Sequence, residues 1–110
     1  MENAAIFGGE ETQLYMKTFE VAHLNIQNVN VVITFVASAF EFKTPREQTA
    51  IQAALQASVT SAGLAGNVVL VWLDQFGRMK FLAPPQQHPF FRTVSYQELY
   101  SQVNRTLTCN

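Results

Sequence analysis

Three side chains in the second half of the sequence have the chemistry of an anion-binding site. Arg92 carries a guanidinium, which can hold a carboxylate or a phosphate through two parallel hydrogen bonds. His88 adds an imidazole, a group that exchanges protons near neutral pH, and Trp72 precedes both. Prolines stiffen residues 84–92 and lower the entropic cost of holding one shape. We therefore predict a small-ligand site lined by Trp72, His88 and Arg92.

The same segment is open to a purely structural interpretation. In it, Phe90 and Phe91 fill the end of the core, and the histidine faces solvent. Arg92 then forms an ion pair with Glu98 or Asp74. Composition does not separate this interpretation from a binding site, so both stand as predictions.

Catalytic and metal-binding patterns are missing from the sequence. It contains no GxSxG, Walker, HExxH or GxGxxG motif. His23 and His88 are isolated from other ligand types, and the single cysteine, Cys109, is the penultimate residue, where chains often fray. We predict no catalytic residue, no metal and no cofactor.

Length and charge narrow the class of protein. With 110 residues, 48% of them hydrophobic, the chain fits one domain over 1–110, with residues 1–10 as a flexible N-terminal segment.

A net charge of -1 gives no excess of positive charge for binding nucleic acid, unless Arg78, Lys80, Arg92 and Arg105 converge. The apolar stretch 29–42 is shorter than the roughly 20 residues of a membrane span, and the acidic start does not suit a signal peptide. We expect a cytoplasmic protein without a membrane or nucleic-acid partner.

Two capping boxes predict where helices begin. Thr44, a proline and Glu47 start a helix that runs to about residue 62, where Gly63 can close it. Ser95 and Glu98 start another helix over about 96–107. The apolar face of this predicted helix consists of Leu99, Val103 and Leu107, which recur at helical spacing.

Runs of β-branched and aromatic residues predict four strands. They cover residues 29–37, 67–73 and 78–83, and residues 14–26 fit a strand better than a helix. The order ββαββα predicts an α+β two-layer sandwich, a four-stranded, mostly antiparallel sheet with two helices on one face. The other face then needs a cover, because its continuously apolar strands would meet water.

A deficit of charge indicates self-association. Residues 48–73 contain no Lys, Arg, Asp or Glu, and residues 21–40 contain none either. The outer side of the first helix carries Thr49, Ala53, Ala57 and Thr60, where a solvated helix usually shows charges.

We therefore expect a non-catalytic homodimeric interaction module that takes a protein or small-anion partner through the sheet face or residues 84–92. The alternatives are a monomer whose helix is merely poor in charge, and a small ligand-binding protein or enzyme with a pocket around Trp72, His88 and Arg92.

Overall fold

The computed structural model describes residues 17–109. The strands are β1 (Lys17–Ile26), β2 (Val29–Phe35), β3 (Asn67–Leu73), β4 (Met79–Leu82) and β5 (Arg105–Cys109). The α-helices are α1 (Pro45–Ser61), α2 (His88–Thr93) and α3 (Tyr96–Tyr100), with 3-10 turns at Ser38–Phe42 and Pro85–Gln87. The predictions for residues 1–10 and for 14–16 lie outside the described residues.

The described strands form one mixed sheet in the order β4-β3-β2-β1-β5. β2 and β3 are parallel, whereas the pairings β1–β2, β1–β5 and β3–β4 are antiparallel. Parallel neighbours need a crossover, and α1 supplies it between β2 and β3. The chain is thus a small α+β fold, as predicted, but the sheet within residues 17–109 has five strands rather than four.

The ambiguous segment before residue 29 is a strand over its described part, which confirms the prediction for residues 17–26. It turns back through Gln27 and Asn28, whose φ angles of 53° and 68° are those of a type I′ hairpin turn. The Asn25 side chain accepts a hydrogen bond from the Asn28 amide at 3.1 Å and supports the turn. Val29 then pairs with Ile26, and the register between β1 and β2 is set.

Both ends of α1 follow the sequence prediction. The Thr44 hydroxyl accepts from the Glu47 amide, and the Glu47 carboxylate accepts from the Thr44 amide, so the capping box is complete. At the other end, Gly63 has a φ of 78°, a left-handed conformation that glycine adopts without strain. The Leu64 amide donates to the Val59 carbonyl at 3.1 Å, which closes a Schellman motif.

The apolar stripe of α1 packs on one face of the sheet. Leu55 and Val59 are buried, and Ile51 packs beside them against Val32 and Leu70 of the central strands. We call this side of the sheet the α1 side. Its core therefore joins the crossover helix to β2 and β3, the parallel pair.

The opposite face is covered by α2 and α3, which corrects the prediction of two helices on one face. β4 and β5 lie at opposite ends of the strand order, so residues 83–104 must cross the sheet. α1 already occupies one face, and the connection therefore crosses the other. Phe91 and Leu99 are buried there against Ile33 and Val71. The sheet is a middle layer, and the face expected to need another molecule is covered by the chain itself.

The second predicted helix was too long. α3 ends at Tyr100, and the residues after it form β5 instead of a continued helix. Leu99 and Leu107 fit one helical stripe in sequence, yet Leu99 packs on the α2–α3 side and Leu107 on the α1 side. Pairing with β1 decides the conformation of Arg105–Cys109, whose alternating threonines favour a strand.

None of the helices within residues 17–109 is long and apolar enough to cross a membrane.

Candidate functional site

The outward face of α1 keeps the features that the sequence predicted. Thr49, Ala53, Ala57 and Thr60 are all exposed. No charged residue follows Glu47 on this helix. The exposed surface of α1 is therefore one of small, uncharged side chains over most of its length.

A row of glutamines explains part of the missing charge. β2 pairs with β3 at Val68, but β4 pairs with β3 only from Leu70 onward, so within residues 17–109 no strand lies on the β4 side of Val68. The Gln56 side chain replaces that strand: its oxygen accepts from the Val68 amide at 2.8 Å, and its nitrogen donates to the Gly66 carbonyl at 3.1 Å. Gln52 donates to the Val68 carbonyl at 3.3 Å. A neutral amide supplies both a donor and an acceptor, which neither a carboxylate nor an ammonium does.

The second uncharged stretch, residues 21–40, also has a cause within the chain. It includes β2 and most of β1, which are interior strands. Val21, Ala22 and residues 31–34 are fully buried by the chain's own helices. The glutamines and this burial explain part of the charge deficit, but they do not explain the lack of charge on the outward face of α1.

A groove runs between the C-terminal half of α1 and the edge strand β5. It has a volume of about 410 Å³ and is lined by Ala57, Ser58, Ser61, Ala62 and Thr108. Ala57 belongs both to the groove and to the predicted interface. The lining offers short side chains and hydroxyls but no charge, so it suits the close approach of another backbone better than an ionic ligand.

The three residues predicted to line a ligand site lie on different parts of the molecule. Trp72 is 6% exposed and packs on the α1 side, where its ring lies 4.7 Å from that of Phe40. His88 begins α2 on the opposite side of the sheet. Because the sheet separates them, Trp72 and His88 do not line one pocket. Arg92 is exposed in the last turn of α2 and has no ion pair within residues 17–109.

His88 has a structural partner. Its Nε2 lies 2.8 Å from the Ala83 carbonyl oxygen, so Nε2 carries the proton and donates. Its ring packs edge-to-face on Phe81 at 5.2 Å. Phe91 is 1% exposed, with Phe90 against it. The two phenylalanines thus fill the core, as the structural interpretation expected, whereas the histidine is half-buried rather than solvent-facing.

A charged cluster surrounds Trp72 at the end of β3. The indole nitrogen donates to Glu41 at 2.8 Å, and the Lys80 ammonium lies 3.6 Å from Glu41 and 4.0 Å from Asp74. The Asp74 carboxylate also accepts from the amides of Phe76 and Arg78 at 2.8 and 2.9 Å. These bonds shape the turn between β3 and β4, so the cluster closes a hairpin.

The same bonds fix the charge of Asp74. The Arg78 amide, then the Phe76 amide and the Arg78 guanidinium, lower the pKa of this carboxyl, and burial only partly opposes them. Asp74 therefore stays ionised at neutral pH. It is unsuited to accept a proton in catalysis.

An aromatic cluster on the α2–α3 side was not predicted from the sequence. Phe35 meets Tyr96 and Tyr100 edge-to-face at 5.5 and 5.2 Å, and the Tyr100 hydroxyl donates to the Glu20 carboxylate. That hydrogen bond, and then burial, raise the pKa of Tyr100. The four residues come from three elements, so no local spacing in the sequence marks them.

No three His, Cys, Asp or Glu side chains within the described range come together in a way that could hold a metal ion. No protein-family model, curated protein or solved structure matches this chain. The geometry of the molecule is therefore the one source of information about its function. The outward face of α1 and the adjoining groove form an exposed, uncharged surface.

Proposed function

We propose that this chain is a non-catalytic, homodimeric interaction module that associates through the outward face of α1. The observation that carries the proposal is the exposure of Thr49, Ala53, Ala57 and Thr60 on a helix without charge after Glu47. Solvated helix faces normally carry charged residues, whereas surfaces that meet another protein exclude them from their centre.

Symmetry favours a second copy over an unrelated partner. Near a two-fold axis each residue meets its own counterpart, so a charged residue there would face a like charge. An uncharged helix with alanines at its centre avoids that repulsion and lets two helices approach closely. The groove at Ala57 extends the same neutral surface toward β5.

The test is a pair of charge insertions with a matched control. Ala53→Glu and Ala57→Glu each place a carboxylate opposite its own copy, and we expect either to weaken the dimer at least tenfold, which is about 1.4 kcal/mol. Gln97→Glu adds the same charge at an exposed site on α3, and should leave the mass in solution unchanged. Sedimentation velocity measures all three.

Helix propensity does not confound the test, because Glu and Ala are both good helix formers. Circular dichroism and thermal unfolding confirm that each variant is folded. Equal self-association of the wild type and both α1 variants would refute the proposed interface.

A further inference from the structure

The outer edge of β5 has backbone groups without a partner among residues 17–109. β5 is the last strand of the sheet order, and β1 is its one neighbour there. The Val21 carbonyl accepts from the Asn104 amide, so the odd-numbered residues of β1 direct their peptide groups toward β5. Phe19 is paired with Leu107, and Leu107 therefore bonds inward. By the alternation of an antiparallel ladder, the amides and carbonyls of Thr106 and Thr108 point outward.

This edge and the α1 groove form one continuous surface. Thr108 lines the groove together with Ala57 and Ser61 of the helix. A strand added to the outer edge of β5 would lie next to these small side chains. Unpaired strand edges readily take up another strand, and natural proteins usually block them with charge, proline or a bulge. β5 contains no proline, and Arg105 at its start is its one charged residue.

The sequence of β5 fits its own copy. In an antiparallel pairing centred on Leu107, Thr106 lies opposite Thr108 of the second copy, and Arg105 lies opposite the second Cys109. No like charges meet in this register, and cross-strand threonine pairs are favourable. A register centred on Thr106 or on Thr108 also has two-fold symmetry, but it pairs fewer of the five residues of β5 with one another.

Resting on the proposed function, we infer that two copies join their β5 strands edge to edge, antiparallel and centred on Leu107. The two sheets become one, and the two-fold axis is perpendicular to it. Both α1 helices then lie on the same side of the joined sheet. The flanks of the two helices that line the groove, at Ala57 and Ser61, then face each other across the paired strands.

A proline at an outward amide tests the inference. Thr108→Pro removes a donor that points away from β1, and edge strands accept proline at such positions. We expect a folded protein whose dimer is at least tenfold weaker, because the two-fold axis removes the bond twice and the ring obstructs the incoming strand. Thr108→Val keeps the amide and should dimerise like the wild type.

The outcomes separate this inference from the proposed function. If Ala57→Glu dissociates the dimer and Thr108→Pro leaves it intact, the β5 pairing is wrong and the α1 interface stands. If the wild type is a monomer, both are wrong. If the wild type is a monomer that Thr108→Pro destabilises, another segment of the same chain occupies the edge, which also overturns the inference.

A cross-link keeps the test decisive if Thr108→Pro fails to fold. In a Cys109→Ser background, Thr106→Cys with Thr108→Cys should form a disulfide-linked dimer on mild oxidation, because paired strand positions lie within disulfide reach. Thr106→Cys alone has no cysteine opposite it and should cross-link at least tenfold less. A folded dimer of the double variant that yields no more cross-link than the single variant would rule out this register.

Discussion

One helix of 17 residues covers the α1 side of the sheet, whereas helices of 6 and 5 residues share the other side. α1 is capped at both ends and long enough to be helical by local signals. α2 has no side-chain cap, and helices as short as α2 and α3 are not stable alone in water. Side-chain packing against the sheet therefore stabilises α2 and α3. Local interactions within α1, including its caps, contribute much of the stability of that helix.

Among the substitutions considered, loss of the buried Phe91 ring should destabilise the protein most. Phe91→Ala removes a 1% exposed ring that joins α2 to the sheet, and we expect it to lower the free energy of unfolding by about 3–5 kcal/mol. Phe76→Ala truncates a ring that is 71% exposed and should change it by less than about 0.5 kcal/mol. Urea unfolding compares the two. Equal losses would contradict the assignment of Phe91 to the core.

Gln56, whose side chain takes the place of a neighbouring strand, should have the next largest effect on the free energy of unfolding. Gln56→Leu leaves the buried Val68 amide without an acceptor, and we expect a loss of about 1–3 kcal/mol in the free energy of unfolding. Gln86→Leu changes an exposed glutamine in the turn before α2 and serves as the control. If Gln56→Leu leaves the free energy of unfolding unchanged, the hydrogen bonds of the glutamines do not explain the lack of charge on this part of α1.

Loss of the capping box should have different consequences in α1 and in α3. Thr44→Ala should lower the free energy of unfolding by about 1 kcal/mol, since it removes the cap of α1. Ser95→Ala removes the same kind of bond from α3, and hydrogen exchange should then speed up roughly fivefold at residues 96–100. Exchange in α1 should stay unchanged in Ser95→Ala. Equal acceleration in both helices would mean that α3 does not open separately.

The changes in stability with pH should be smaller than the effects above, and they should have opposite directions for Asp74 and Tyr100. The pKa of Asp74 is lowered, so its stabilisation is present above the ordinary aspartate value near 3.9 and is lost as the pH falls through the lower folded value. Thermal unfolding of Asp74→Asn should therefore depend less on pH below about 4 than that of the wild type.

Tyr100 behaves in the opposite direction. Its pKa is raised by the hydrogen bond to Glu20, so the stabilisation is complete below the ordinary value near 10 and is lost as the pH rises through the higher folded value. Glu20→Gln should bring the spectroscopic titration of tyrosine back toward lower pH. An unchanged titration curve would show that the carboxylate does not hold this phenol.

Local signals in the sequence predicted α1, both capping boxes and the four strands β1 to β4. Local signals failed where pairing with a strand distant in sequence determines the conformation. The stripe from Leu99 to Leu107 looks helical, but pairing with β1 makes Arg105–Cys109 a strand. Trp72 and His88 are near one another in sequence but on opposite sides of the sheet.

In the proposed dimer, a second copy of the chain covers the outward face of α1. Sedimentation of the wild type over about 1 to 100 µM measures this association, because mass action shifts a dimer within such a range. We expect the mass to rise toward twice the 12.3 kDa of one chain as the concentration increases. A constant mass of 12.3 kDa at every concentration would contradict the claim.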